Sequence, residues 1–163
     1  MTTKILVFSD SHGQPANLLR VLRMHGKDVQ TVVHLGDGPR DLLQYQAEFP
    51  ALDMVHVAGN SDYSIDAPRE RILTVDSTWR FLLLHGHYQN VKSGLDRLMY
   101  YAQEKGVDAC LFGHTHIPTV FSHESVFFMN PGSISKPWMT RTPSYGLVSI
   151  SSDGEISSEV LYI

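Results

Sequence analysis

Apolar and polar positions alternate in blocks along this chain. Lys4-Ile5-Leu6-Val7-Phe8 is an apolar run that stops at Ser9-Asp10-Ser11-His12-Gly13, the pattern of a buried strand delivering polar residues into a loop at its carboxyl end. Pro15 can open a helix, Leu18, Leu19 and Leu22 recur at helical spacing, and Gly26 can close it. The rhythm then repeats. Thr31 to Leu35 leads into Gly36-Asp37-Gly38-Pro39, after which Leu42, Leu43 and Ala47 predict a second helix, and Met54 to Ala58 ends in Gly59-Asn60-Ser61-Asp62. A parallel sheet gathers the carboxyl ends of its strands at one edge, where open α/β sheets place their ligands.

In the second half, Arg71–Val75 and Arg80–Leu84 flank Asp76-Ser77-Thr78 as a hairpin, and the latter strand runs into His85-Gly86-His87. Val91, Leu95, Leu98, Met99 and Ala102 share a helical stripe that closes near Gly106. Asp108 to Phe112 empties into Gly113-His114-Thr115-His116. From Thr119 onward the signals are mostly strand: Val126–Met129, Tyr145–Ile150 and Ile156–Ile163, the last two joined through Asp153-Gly154. Pro131 to Pro143 reads as a long ordered loop whose Trp138 and Met139 fit core, substrate wall or interface, with core and lid packing favoured. This order predicts an α/β chain with two packed sheets and helices outside, in one domain spanning residues 1–163, long enough to bury about two thirds of its unfolded surface.

Composition narrows the function. No apolar run approaches the roughly 18 residues of a membrane span and no secretory signal is visible, so a cytoplasmic protein without a membrane partner is expected. A formal charge of -4, with no Lys/Arg cluster, argues against a protein that grips long nucleic acid. A small anion stays open if bound cations supply positive charge locally. Cys110, the single cysteine, lies in an apolar run and reads as a buried hydrophobe. Nine histidines against seventeen Asp and Glu point to metal chemistry.

Five loops, each after an apolar strand, bring out Asp10 and His12, Asp37, Asn60, His85, and the pair His114 and His116. Imidazole, carboxylate and amide suit Mn, Fe or Zn, and the lack of thiolates argues against a structural zinc or an iron–sulfur site. Adjacent glycines let the backbone turn sharply beside an ion or phosphate. In this order the blocks resemble the calcineurin-like metallophosphoesterases, whose pattern runs Asp-x-His, Gly-Asp, Gly-Asn-His-Asp/Glu, a lone His-Gly, then Gly-His-x-His. The short length, His85-Gly86-His87 and Asn130-Pro131-Gly132-Ser133 look closest to the small bacterial and archaeal phosphodiesterases.

The resemblance implies a four-layer fold, two face-to-face mixed sheets flanked by helices. It also implies two divalent metal ions, Mn2+ foremost with Fe, Zn or Ni as alternatives. One would be held by Asp10, His12, Asp37 and His116 and the other by Asp37, Asn60, His85 and His114. A hydroxide bridging the two, with Asp37 as shared ligand, would attack a small phosphodiester in line. Cyclic nucleotide, nucleotide-linked lipid head group and glycerophosphodiester stay open as substrates, and a dimer or tetramer is compatible.

One block departs from the pattern. Ser61 stands where the family usually carries a leaving-group acid, and a hydroxyl is too weak an acid to replace imidazole, which favours diesters over monoesters. His87 is the substitute candidate for contacting the leaving group or a phosphoryl oxygen, against a structural histidine bonded to a carboxylate. Arg40 and Asn60 join it as candidate substrate contacts, although Arg40 also reads as an exposed helix residue. Asp62 could orient a neighbour in its loop but reads rather as a turn or cap residue, and His25, His34, His56 and His123 read as surface or packing residues. The rivals are a phosphomonoesterase and a binding scaffold of the same fold, such as the retromer coat employs.

Overall fold

The computed structural model describes residues 1–139 and 141–163. The first apolar run forms β1 (Thr3–Phe8), which pairs in parallel with β2 (Thr31–His34), and β2 pairs in parallel with β3 (Asp53–His56). The second half supplies β4 (Glu70–Val75), β5 (Trp79–Leu84), β6 (Ala109–Leu111), β7 (Thr119–His123), β8 (Val126–Asn130), β9 (Ser144–Ile150) and β10 (Ile156–Tyr162). Two mixed five-stranded sheets result, in the orders β10-β9-β1-β2-β3 and β4-β5-β6-β8-β7. In the first, β9 returns antiparallel to β1, with Thr3 opposite Ile150; in the second, β5, β6 and β8 are parallel and β4 and β7 are antiparallel edges.

Side-chain alternation along the strands builds the layers. Ile5 and Val7 of β1 face Phe81 and Leu83 of β5 in the core between the sheets, which also holds Val33, Leu111 and Met129. Leu6 and Phe8 point the other way, onto Leu18, Val21 and Leu22 of α1 (Ala16–His25). Leu82 and Leu84 pack with Leu98 and Ala102 of α3 (Asp96–Lys105). Cys110 belongs to that outer cluster, where burial pushes its thiol up beyond the usual range.

Both hairpin turns of the second sheet use the left-handed region that matches strand twist: Asp76 and Ser77 have φ 51° and 57°, Glu124 and Ser125 φ 47° and 65°.

Three expectations change. Helix α2 (Pro39–Leu43) is only five residues long, and Ala47 is exposed outside it. Tyr45 and Gln46 instead donate to carbonyls three residues back, and the Gln46 amide bonds the carbonyls of Phe49 and Leu52, closing the chain into turns ahead of Pro50. Helix α3 starts at Asp96 because Gly94 adopts φ +145°, so Val91 packs on the same cluster from a turn. Trp138 and Met139 are 59% and 80% exposed, surface residues and not core. Thr140, in the same loop, lies outside the described residues.

Candidate metal centre

The loops after β1, β2, β5 and β6 converge at one edge of the sandwich. Asp10, Asp37 and His85 are buried there, and His12, His114 and His116 are half-buried. Asp10, His12, Asp37, His114 and His116 all adopt left-handed backbone, with φ of 56°, 49°, 57°, 71° and 60°. Each such residue costs on the order of 1–3 kcal/mol and persists only where the surroundings impose it. The glycines make room: a Cβ on Gly59 would lie 2.2 Å from Asp37 Oδ1.

Two groups form, Asp10 with His12 and His116, and Asp37 with His85 and His114, the potential ligand atoms within each lying within 4.8 Å of one another. His116 Nε2 is 3.2 Å and His12 Nε2 3.7 Å from Asp10 Oδ1, while His85 Nε2 is 3.3 Å from Asp37 Oδ2. The groups are joined. Asp37 Oδ2 also lies 3.8 Å from His12 Nε2, and Asp10 Oδ1 3.7 Å from His85 Nε2.

The donor set fits divalent cations. Asp10 Oδ1 is buried without a hydrogen-bond partner among the described residues, a costly state for an anionic oxygen. His85 Nδ1 bonds the Leu35 carbonyl at 2.7 Å and His116 Nδ1 the Lys136 carbonyl at 2.6 Å. Those nitrogens must donate, which turns the Nε2 lone pairs inward. There His116 Nε2 meets His12 Nε2 at 3.2 Å, and His85 Nε2 meets His114 Nδ1 at 3.2 Å, which brings the lone pairs of His85 and His116 to positions where they could serve a cation.

Electrostatics agree. Burial opposes ionisation of Asp10, but His116 and His12 outweigh it and hold the carboxyl well below its ordinary value. Asp37 behaves alike, burial being overcome by His85 and by Ser61. Burial would lower His85, yet Asp37 and Asp10 raise it; His116 is raised by the adjacent Asp10 carboxylate, and burial beside His85 lowers His114 to about 4.

Several supporting residues do more than their sequence context suggests. The Asp62 carboxylate accepts from the backbone N–H groups of Asp37 and Gly59, both at 2.7 Å, and of Gly38 at 3.0 Å, clamping two loops together. The Ser61 N–H donates to Asp37 Oδ1 at 2.9 Å, so Ser61 acts through its backbone. Fully buried His34 accepts from the Gly36 N–H and donates to Ser11 Oγ, which donates onward to the Gly38 carbonyl. Burial lowers His34 to about 3, so it is neutral there. Ser133 and Ser135 hold the Asp10 carbonyl, and Asn130 holds the Gly113 carbonyl. The Asn-Ser-Asp sequence at 60–62 and the histidine three residues before Asp37 were the available signals, but their partners are remote in sequence.

The remaining expected residues lie at the rim. Asn60 is exposed and, with His87, lines a cleft of about 370 Å³. The His87 ring is 5.4 Å from that of His85 and 6.0 Å from that of His114, and its buried Nδ1 has no partner among the described residues, so the expected carboxylate bond is absent there. Burial and the nearby His85 lower its pKa. Arg40 is not brought into the cluster: exposed at the start of α2, it donates to the Ser64 carbonyl. Of the other histidines, His25 bonds the Tyr145 hydroxyl at 2.9 Å, His56 is half-buried and His123 is exposed.

Residues 3–153 match the calcineurin-like phosphoesterase superfamily domain. The chain belongs to that family. It is 34% identical over 150 residues to the probable metallophosphoesterase YsnB of Bacillus subtilis, covering 91% of this chain and 85% of that one. Against phosphodiesterase YfcE of Escherichia coli it is 30% identical over 169 residues, covering 89% and 86%. A crystal structure of a predicted phosphoesterase from Streptococcus pneumoniae superposes with a TM-score of 0.80 at 27% identity, over 100% of this chain and 99% of that one. The calcineurin-like phosphoesterase is therefore a metal-dependent phosphoric ester hydrolase, with two candidate groups of ligands for divalent ions.

Proposed function

We propose that the protein is a two-metal phosphodiesterase for small diesters, with Asp10, His12, Asp37 and His116 holding one cation and Asp37, Asn60, His85 and His114 the other. The observation that carries this reading is the buried, unpartnered Asp10 Oδ1 facing the Nε2 atoms of His12, His85 and His116. Cations held there acidify water and neutralise charge gathering on the phosphoryl oxygens. Mn2+ is the first assignment, ahead of Fe, Zn or Ni, on the family resemblance, the mixture of imidazole, carboxylate and amide ligands suiting Mn, Fe and Zn alike.

The chain's own residues do the rest. Asp10 and Asp37 stay ionised across the neutral range, and the carbonyls of Leu35 and Lys136 fix the ring orientation of His85 and His116. His87, neutral at pH 7 because its pKa is lowered, offers a hydrogen bond to a phosphoryl or leaving oxygen at the rim. With serine at position 61, no imidazole stands there to protonate a poor leaving group, and this favours diesters over monoesters. The name of the YfcE relative points the same way.

The test loads the protein with Mn2+ and compares bis(p-nitrophenyl) phosphate with p-nitrophenyl phosphate, in wild type and Asp37→Asn. About two equivalents of metal, preferred cleavage of the diester, and loss of both in Asp37→Asn are expected. Asp37→Asn with intact metal content and hydrolysis would refute the ligand assignment. A wild type that binds no metal and is inert with every ion tried would instead be a scaffold.

A further inference from the structure

We infer that one ester arm of the substrate is a nucleoside, whose base occupies the cleft between Tyr63 and Tyr88; this rests on the phosphodiesterase reading above. The cleft of about 370 Å³ opens beside Asn60 and His87, and His87 in turn adjoins His85 and His114 of the candidate metal centre. Its size is toward the low end of small-ligand pockets, roughly 300–1,000 Å³, enough for a single ring system with its sugar.

The walls are aromatic and cationic. Tyr63 is 93% exposed, and no ring or cation contacts it among the described residues. An aromatic face left open this way, a few residues from a ligand loop, suits a planar partner. Tyr88 is already ordered: its ring lies 4.2 Å from that of His87, and the Arg69 guanidinium lies 4.8 Å from its centroid. Arg69 forms no ion pair among the described residues, so its charge is free to face an anion in a protein of net charge -4.

The polar groups are sparse. The Asp62 carboxylate is committed to three backbone N–H groups and Asn60 is assigned to a cation, so few side-chain groups are left to read a base edge. Stacking is therefore the main recognition, and it tolerates any base. A glycerol arm has no ring face to stack, and a choline ammonium, which could otherwise sit over a tyrosine ring, is repelled by the Arg69 guanidinium beside Tyr88. The second ester arm has a separate recess of about 210 Å³ beside His114 and His116, bounded by Lys92 and the exposed Trp138.

The test uses p-nitrophenyl thymidine 5′-phosphate against methyl p-nitrophenyl phosphate with the Mn-loaded protein. In each, water adds to phosphorus, the P–O bond to p-nitrophenol breaks, and p-nitrophenolate leaves with the nucleotide or methyl phosphate as coproduct. Base–aromatic stacking corresponds to roughly 5–150-fold per ring, so the nucleoside ester should lead in kcat/KM by a factor in that range. Tyr63→Ala and Tyr88→Ala should each cut this preference at least about fivefold. Tyr63→Phe should retain it, as should Tyr100→Ala, an exposed ring on α3. Calorimetric binding of thymidine 5′-phosphate, which needs no turnover, should weaken in the same two alanine variants.

Equal kcat/KM for the two esters in wild type, or a preference and a nucleotide affinity that both alanine variants leave untouched, overturns the inference. If neither ester is cleaved but nucleotide binding depends on Tyr63 and Tyr88, the phosphodiesterase reading fails and the cleft assignment stands.

Discussion

Replacing Asp62 tests how far the metal loops depend on a residue outside the ligand set. Its carboxylate accepts three backbone hydrogen bonds, two at 2.7 Å and one at 3.0 Å, from Asp37, Gly59 and Gly38. Hydrogen bonds to an ionised group contribute about 1.5–3 kcal/mol each. Asp62 is half-buried, so the low end applies, and some freed N–H groups can recover a bond to water. Asp62→Ala should then cost about 3 kcal/mol. Asp62→Asn should cost about half as much, because its amide oxygen still accepts while its NH2 faces a donor. With the Asp37 loop released, Mn2+ affinity should fall by about 10–100-fold, the usual effect of losing a group that orients a ligand. Urea unfolding of the metal-free variants gives the first quantity and titration against a chromogenic chelator the second. Asp62→Ala within about 0.5 kcal/mol of wild type, with unchanged Mn2+ affinity, would show that the three bonds are incidental.

Other outcomes follow from the same geometry. His34 is neutral when folded, with its pKa lowered to about 3 from 6.5, so only the unfolded chain takes up its proton between those values. Its stabilisation is complete above pH 6.5 and should fall by about 1.4 kcal/mol per pH unit below it, a slope His34→Gln should lack in acid unfolding curves; matching slopes would contradict the assignment. Gly59→Ala would place a Cβ 2.2 Å from Asp37 Oδ1, so about 1–3 kcal/mol of stability and most Mn2+ affinity should be lost, and wild-type behaviour in thermal melts and metal titration would disprove the steric argument. His87→Ala should raise KM for diesters while the basic limb of the kcat profile survives. Disappearance of that limb would make His87 the proton donor instead.

The strand-then-loop pattern carried most of the architecture because apolar runs and their polar terminations are local signals. Ile5 and Val7 against Leu6 and Phe8 already imply two buried faces on β1. Six of the seven expected ligand residues meet at one edge for the same reason. What local pattern does not contain is pairing across long separations. Asp62 resembled a turn residue because its three partners lie at Asp37, Gly38 and Gly59, two of them over twenty positions away. His34 looked like a packing histidine because Ser11, its partner, is on another loop. The early end of α2 is not legible locally, because Leu42, Leu43 and Ala47 fit a longer helix while the chain turns ahead of Phe49 and Pro50.

The pairing of β1 with β9 also sets a sequence in time. Thr3 lies opposite Ile150, and the Asp10 carbonyl is held by Ser133 and Ser135, so the loop after β1 is finished by residues made long after it. Contacts of such separation are slow to form. During synthesis Asp10, His12 and Asp37 are therefore present well before the rest of their surroundings, and the nascent chain has half a centre and an unpaired strand edge. On the two-metal reading a complete ligand set exists only at the closing stage of assembly, and until then the open strand edge is exposed to pairing with other chains.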